Sequence, residues 1–471
     1  MDSLKKIGDV KAVSSNQVKS SPIGLGFEKL DRGVFDPEKA YDKVAALGVK
    51  WIRIQSGWAR TEKSKGVYDF AWLDGIVDNL LRRGLQPWVC LCYGNGLYNE
   101  EAAKIFGAVG CPPIKSEEER NAWSKYVSAL TSRYKGKVQW YEVWNEPDGQ
   151  WCWKHGVNGT EYGELVKATA LAVKKGDAKA KVIGGSTCLR GLAWINDVLA
   201  TGAGACIDAL TYHAYSPDET DSFDHFPALR ALCKSYNPEI LMIQGETGTQ
   251  SRSDGAGALN GGAWTPERQA KFLARHMVSD LFKNVVFASY FSCLDMIEAL
   301  NGSIGNKASY LDYGYFGVLG AEFDENGVST GEYKPKPSYR SLQVIASVFR
   351  EKFETAELPV EFLNSSNSQR LLRNDDNGRN LLYSGFRKPN GSSAFAYWRP
   401  AELLTTSYEA TISIEMAAVK GEAKLVDLVD GSIYELPSKM IEDNGRGNRR
   451  FMHLPLRDYP LLLVFGDFLE S

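Results

Sequence analysis

From about residue 21 to 350 the chain alternates between two textures. Short apolar runs rich in Val, Ile and Trp are each followed by a longer segment whose apolar positions recur at helical spacing. The runs are IGLGF (23–27), KWIRIQ (50–55), QPWVCLCY (86–93), KVQWYEVW (137–144), AKVIGGS (180–186), IDALTYHAY (207–215), EILMIQGE (239–246) and NVVFASYF (284–291). The first helical stretch, DPEKAYDKVAALG, opens near Asp36, with Pro37 suited to a first turn and Gly48 to a stop. Repeated strand–helix units with continuous apolar strands predict a parallel sheet covered by helices. Eight such units fit a closed (β/α)₈ barrel better than an open doubly wound sheet.

After Phe349 the texture changes. RLLRNDDNGRNLLYSGFRKPNGSSAFAYWRP (370–400), AKLVDLVDGSIYELP and FMHLPLRDYPLLLVFGDF read as short strands joined by Asn-Gly, Asp-Gly and Pro turns. The expected organisation is therefore an α/β (β/α)₈ barrel at 21–350 and an antiparallel β-sandwich at 355–471. Residues 1–20 form an N-terminal segment expected to pack on the β-domain. The sandwich holds no cysteine and no evident ionisable cluster, which makes it a structural companion to the barrel. The region around 294–336, rich in Gly and Tyr, reads as a long loop able to close one end of a cleft.

Composition narrows the partners. The 471 residues are 44% hydrophobic and 24% charged, with 55 Lys and Arg against 58 Asp and Glu, a net charge of −3. That balance gives no electrostatic reason to expect nucleic acid or an anionic membrane surface. No run is long and apolar enough to span a bilayer, and the N-terminal stretch lacks the apolar centre of a signal peptide. The eight cysteines show no C-x-x-C spacing, which points to scattered core thiols in a reducing, cytoplasmic setting, unless a leader has been removed. The five histidines are far apart and form no H-E-x-x-H pair, and no phosphate-cradling glycine motif is present. Neither a metal nor a cofactor is expected. The sequence carries no signal for oligomeric state.

Chemistry enters at two strand ends. In a (β/α)₈ barrel the active site lies at the C-terminal ends of the strands. QWYEVWNEPDG (139–149) delivers Asn145 and Glu146 there on the fourth strand, and Pro147 ends the pairing because it has no N–H to donate. LMIQGETG (241–248) delivers Glu246 on the seventh, nearly across the ring. Two facing carboxyl groups about 5–5.5 Å apart are what a retaining glycosidase needs. One protonates the leaving oxygen while the other attacks the anomeric carbon, and their environments must keep them in different protonation states.

WNEP on strand four with GE on strand seven resembles the large (β/α)₈ clan of retaining glycoside hydrolases (clan A), over the whole of 21–350. The resemblance implies that Glu146 is the acid/base, Glu246 the nucleophile and Asn145 a donor to the sugar 2-hydroxyl. It also places Arg53, on strand two, beside the nucleophile, where a fixed cation keeps a carboxylate ionised and oriented. LTYHAYS (210–216) is similar to the H-x-Y-S pattern of glycoside hydrolase family 39, which includes β-xylosidases and α-iduronidases. That likeness implies that Tyr215 bonds the nucleophile and His213 contacts substrate. On strand eight the family has an aromatic followed four and seven residues on by acids, matched here by Phe291, Asp295 and Glu298. This chain departs from the family in having Phe291 for a usual Trp, and Gly245-Glu246 where the family usually has a threonine-glutamate pair at the nucleophile.

Loops at the same face carry Trp151 and Trp153 after strand four and Trp264 after strand seven. Aromatic faces of this kind suit the C–H faces of sugar rings. The resulting expectation is a retaining hydrolase of a β-linked oligosaccharide or glycoside. It would be exo-acting, of β-xylosidase, β-glucosidase or β-galactosidase type. An endo-acting polysaccharide hydrolase on the same scaffold is the alternative, and a carbohydrate-binding barrel without turnover is a second.

Overall fold

The computed structural model describes residues 1, 4–363, 375–443 and 447–470. Eight parallel strands close into a barrel in chain order: Ile23–Gly26, Trp51–Gln55, Gln86–Leu91, Trp140–Val143, Lys181–Thr187, Ala209–His213, Leu241–Thr247 and Ala288–Tyr290. The ring shuts where Ile23 pairs with Ala288. Six of the strands fall within their apolar runs and two overrun theirs by one residue, at Thr187 and Thr247, and the fold is the expected (β/α)₈ barrel with antiparallel sheets after it.

The outer helices begin where the sequence supplies caps. Ser116, Asn158 and Thr265 each accept a backbone N–H of the following first turn, at Glu119, Glu161 and Arg268. These bonds satisfy donors that a helix start otherwise leaves open. The first helix is less regular than its spacing suggests. Asp36 Oδ1 takes the Glu38 N–H at 3.0 Å and tightens the opening turn into a 3₁₀ piece, Pro37–Lys39, before a short helix at Tyr41–Ala45.

The stretch 294–336 is more ordered than a plain loop. It contains a hairpin, Leu319–Phe323 against Ser329–Pro335, and a two-residue pairing of Met296–Ile297 with Tyr313–Gly314. The hairpin turns at Asn326-Gly327, where Gly327 has a φ of +78°. Asn-Gly between two strands is a strong hairpin signal, and here it lay inside a segment read as loop.

Side chains alternate along a strand, so residues two apart share a face. The barrel interior is accordingly layered. Trp88, Trp140, Ile183, Ala209, Ile243 and Phe287 form a buried apolar cluster at the strand starts. Two residues further along four of these strands come Cys90, Glu142, Thr211 and Gly245.

Beyond the barrel lie a seven-stranded and a four-stranded antiparallel sheet. The N-terminal strand Lys5–Asp9 pairs with Ser432–Glu435 at an edge of the larger one. Strand Leu461–Phe465 is buried throughout. Leu462 and Val464 belong to the apolar core shared with the barrel, whereas Leu461, Leu463 and Phe465 face the core between the sheets. Trp398 adds a polar tie, its Nε1 donating to Glu219 Oε1 at 2.6 Å. The strand expected to begin at Arg370 starts outside the described residues. Among the described residues no helix is long and apolar enough to cross a membrane.

Candidate active site

The fourth strand ends at Val143, and the chain then turns through two left-handed residues, Trp144 at φ +68° and Glu146 at φ +46°. Each such non-glycine residue costs on the order of 1 kcal/mol. The surroundings hold them there. Trp144 Nε1 donates to Cys152 O at 2.8 Å, and the Glu146 N–H donates to Ser186 O at 3.0 Å. The turn raises the Glu146 carboxyl at the barrel mouth. Glu246 reaches the same place from within the seventh strand, and its carbonyl takes the Ala214 N–H at 2.8 Å.

One carboxyl oxygen of Glu146, one of Glu246 and a ring nitrogen of His213 all lie within 4.8 Å of one another. His213 Nδ1 stands 2.8 Å from Glu146 Oε1 and 3.7 Å from Glu246 Oε2. Trp151 Nε1 donates to Glu146 Oε2 and Tyr215 OH donates to Glu246 Oε1. Arg53 Nη1 donates to Glu246 Oε2 at 2.7 Å. Every carboxyl oxygen of the pair therefore has an aimed partner.

Arg53 is fully buried and organises the floor. Its Nε and Nη2 both reach Glu142 Oε2, at 2.9 and 2.7 Å, and Nη2 also donates to Asn145 Oδ1 at 2.8 Å. Thr211 Oγ1 donates to the other Glu142 oxygen at 2.7 Å. Asn145 Nδ2 donates in turn to Tyr93 OH at 3.0 Å. Burial opposes the charge on Arg53, but Glu142, Cys90, Glu246 and Glu28 outweigh it and raise its pKa well above the usual value. Burial likewise disfavours protonated His213, and the neighbouring Glu246 and Glu146 reverse that and raise its pKa. Burial, reinforced by Glu246, holds Tyr215 well above the usual phenol value, so it remains a donor.

These groups frame a cavity of about 380 Å³. Its polar lining includes Glu28, Lys29, Gln55, Asn145, Glu246 and Glu298. Trp151, Leu189, Leu300, Phe291 and Phe316 supply apolar surface. A larger groove of about 670 Å³ runs along the N-terminal strand and the sheet it joins, away from the strand ends that carry the acids. Glu146, His213 and Glu246 are close enough to ligate a cation. Arg53 already supplies a fixed positive charge to Glu246, which makes the cluster a poor seat for a divalent ion.

Comparison with known proteins points the same way. The family model for glycosyl hydrolases family 39 matches residues 39–234. A β-xylosidase of Caldicellulosiruptor saccharolyticus is 26% identical over 338 residues, covering 65% of this chain and 64% of that protein. A β-xylosidase of Geobacillus stearothermophilus is 28% identical over 162 residues, 32% of this chain and 31% of the relative. Among solved structures, a family 39 glycoside hydrolase from Bacteroides cellulosilyticus WH2 superposes with a TM-score of 0.66 at 17% identity, over 97% of this chain and 82% of the other. A family 39 β-xylosidase from Caulobacter crescentus gives a TM-score of 0.58 at 17% identity, over 96% and 97% of the two chains.

The chain is similar to glycoside hydrolase family 39.

The stretch matching family 39 takes in Arg53, Glu146, His213 and Tyr215 and ends before Glu246, whose place rests on the geometry above. Of the residues read from the sequence, Asn145, Glu146, Trp151, Tyr215, Glu246, Phe291 and Glu298 line the cavity, with Arg53 and His213 bonded directly to its acids. Three residues do not join them. Trp153 is wholly buried, edge-on to Trp144 and Tyr162 with ring centroids 6.2 and 5.9 Å away. Trp264 donates its Nε1 to Leu259 O at 2.8 Å and packs against Phe272. Asp295 is held by Lys336 Nζ at 2.6 Å and the Gly317 N–H at 2.9 Å. Each serves the loops behind the cavity wall.

Sequence reading missed Glu28, Lys29, Gln55, Tyr93 and Glu142. Two signals were available. Glu142 is an acid in the middle of an otherwise apolar strand, and Glu28-Lys29 is a charged doublet directly after IGLGF. Lys29 Nζ donates to Glu298 Oε1 at 3.2 Å. Glu28 has no hydrogen-bond partner for either carboxyl oxygen among the described residues, and burial pushes its pKa up to about 8 against the opposing pull of Arg53.

Proposed function

We propose that this protein is a retaining, exo-acting glycosidase of β-xylosidase type that cleaves a β-linked glycoside by double displacement. The observation that carries the reading is the approach of Glu146 and Glu246 to within 4.8 Å, oxygen to oxygen, in a cavity at the strand ends. Retaining pairs stand about 5–5.5 Å apart, whereas an inverting pair needs roughly 6.5–9.5 Å to admit a water. In this scheme Glu246, fixed by Arg53 and Tyr215, attacks the anomeric carbon. Glu146, oriented by Trp151 and His213, gives its proton to the departing oxygen. Glu146 then takes a proton from water, and that water releases the sugar from Glu246. The residues needed are all in this chain, and no metal or cofactor takes part.

The β-xylosidase assignment draws on the two curated relatives, and exo action on a cavity walled by Trp151, Leu300 and Phe316. The eight free cysteines fit a reducing, cytoplasmic compartment. Glu246→Gln should abolish turnover of a nitrophenyl β-glycoside that the wild type cleaves. Glu146→Ala should retain attack on such activated substrates, release product slowly, and recover with added azide. Full activity in Glu246→Gln would end the assignment.

A further inference from the structure

Four acidic residues line the cavity, Glu28, Glu146, Glu246 and Glu298. The last three have partners described above. Glu28 is 1% exposed, yet neither of its oxygens is in a hydrogen bond among the described residues. Its nearest cation, Arg53 Nη1, is 3.6 Å away, beyond hydrogen-bond reach. Arg53 is already committed to Glu142, Glu246 and Asn145, and Lys29 Nζ to Glu298 and Ile297 O. The remaining charged or titratable groups facing Glu28 are Glu246, from the seventh strand, and Cys293, just past the eighth.

Glu28 Oε2 lies 2.2 Å from where a Cβ on Gly26 would fall, so the carboxyl occupies space that a glycine leaves open. A buried carboxyl with unused bonding capacity is costly, and such groups survive where a ligand completes them. At neutral pH the acid keeps its proton, since its pKa lies near 8. One oxygen then donates while the other accepts. Sugar hydroxyls, which do both, are the natural complement.

We infer that Glu28 reads the sugar: its carboxyl holds two adjacent ring hydroxyls of the glycone seated against Glu246, selecting glycones that carry both hydroxyls free. This assignment rests on the glycosidase reading above. It predicts that glycones deoxygenated, acylated or methylated at that pair are poor substrates, whatever the leaving group.

The test is a cycle of protein and substrate variants. Wild type and Glu28→Ala are assayed on the nitrophenyl glycoside that the wild type cleaves best, and on its 3-deoxy and 4-deoxy analogues. Wild type should lose ~10–100-fold in kcat/KM on removal of a hydroxyl that Glu28 holds. Glu28→Ala should lose a similar factor on the parent sugar and only a few-fold more on that deoxy analogue. Additive losses would mean that Glu28 acts only through Arg53 or the fold, and would overturn the assignment. If Glu28→Ala does not fold, Glu28→Leu, which keeps the bulk but neither donates nor accepts, replaces it. Its deoxy penalty should fall below the wild-type value, and an unchanged penalty overturns the proposal. A wild type that cleaves no glycoside in a broad nitrophenyl panel fails the glycosidase reading itself. A wild type that cleaves one, with additive losses, fails Glu28 alone.

Discussion

Trp140 and Glu142 sit two residues apart on one strand, face the same barrel interior, and belong to opposite chemistries. Around Trp140 the interior is sealed with Trp88, Ile183, Ala209, Ile243 and Phe287, and Trp51 stacks on Phe287 at 4.6 Å between centroids. Around Glu142 the same ring of strands carries Arg53, Thr211 and Glu246, bonded into one network with it, and His213, bonded to Glu146, stands 3.7 Å from Glu246. The lower layer has only shape to satisfy. The upper layer holds charges in a water-poor place, where each must be matched by an opposite charge or a donor. Two residues along one strand thus separate a layer held by shape from a layer held by charge.

The contrast can be broken most severely at Arg53. Arg53→Met would leave Glu142 and Glu246 buried without their cation. Removing one partner of such a pair costs roughly 3–5 kcal/mol. Both the melting temperature and turnover of an aryl glycoside should collapse together; near-normal activity would show that the floor charges do not organise the acids.

A smaller effect should appear at Glu28, as a slope in pH. Its pKa is about 8 in the folded chain, against an ordinary carboxylate value when unfolded. Between about pH 4.5 and 8 the folded state keeps a proton that the unfolded state has released. Glu28 therefore favours folding less and less as pH rises through that window, by at most about 1.4 kcal/mol per pH unit. Glu28→Gln should flatten the fall, read as the difference between wild-type and variant denaturation midpoints at pH 5, 6, 7 and 8. A constant difference would place the proton elsewhere.

The smallest change belongs to the lower layer. Ile243→Val should cost about 1 kcal/mol in stability and leave kcat untouched at a temperature where both proteins are folded. A change in kcat would mean that the apolar layer communicates with the acids above it.

The barrel was legible because most of each strand is apolar, and burial on both sides demands that. The two acids were legible for the same reason: Glu146 and Glu246 close such runs, followed by Pro147 and Gly248. The rest of the site was harder to see. Glu28, Gln55 and Tyr93 also stand at or just past strand ends, but a polar residue there looks like any loop entry. Trp151 and Trp153 are two residues apart in a loop without a period, so spacing could not tell that one donates to Glu146 while the other packs behind Trp144. Asp295 and Glu298 separated for a similar reason. Each found its own lysine, Lys336 and Lys29, and only the second faces the cavity.

The sheet carrying Leu461–Phe465 has consequences for anyone who would shorten this chain. Its two faces lie in two different cores, so the sheet is a party wall: Leu462 and Val464 serve the barrel as much as Leu461 and Leu463 serve the layer outside it. Trp398 is hydrogen-bonded to Glu219, which Arg275 also grips at 2.6 Å. A protein trimmed after the last barrel helix, Pro337–Val348, would bare a greasy flank and a buried ion pair stripped of its cover. The outer layer cannot be exchanged like a tag; grafting the acids into another context means carrying that wall along.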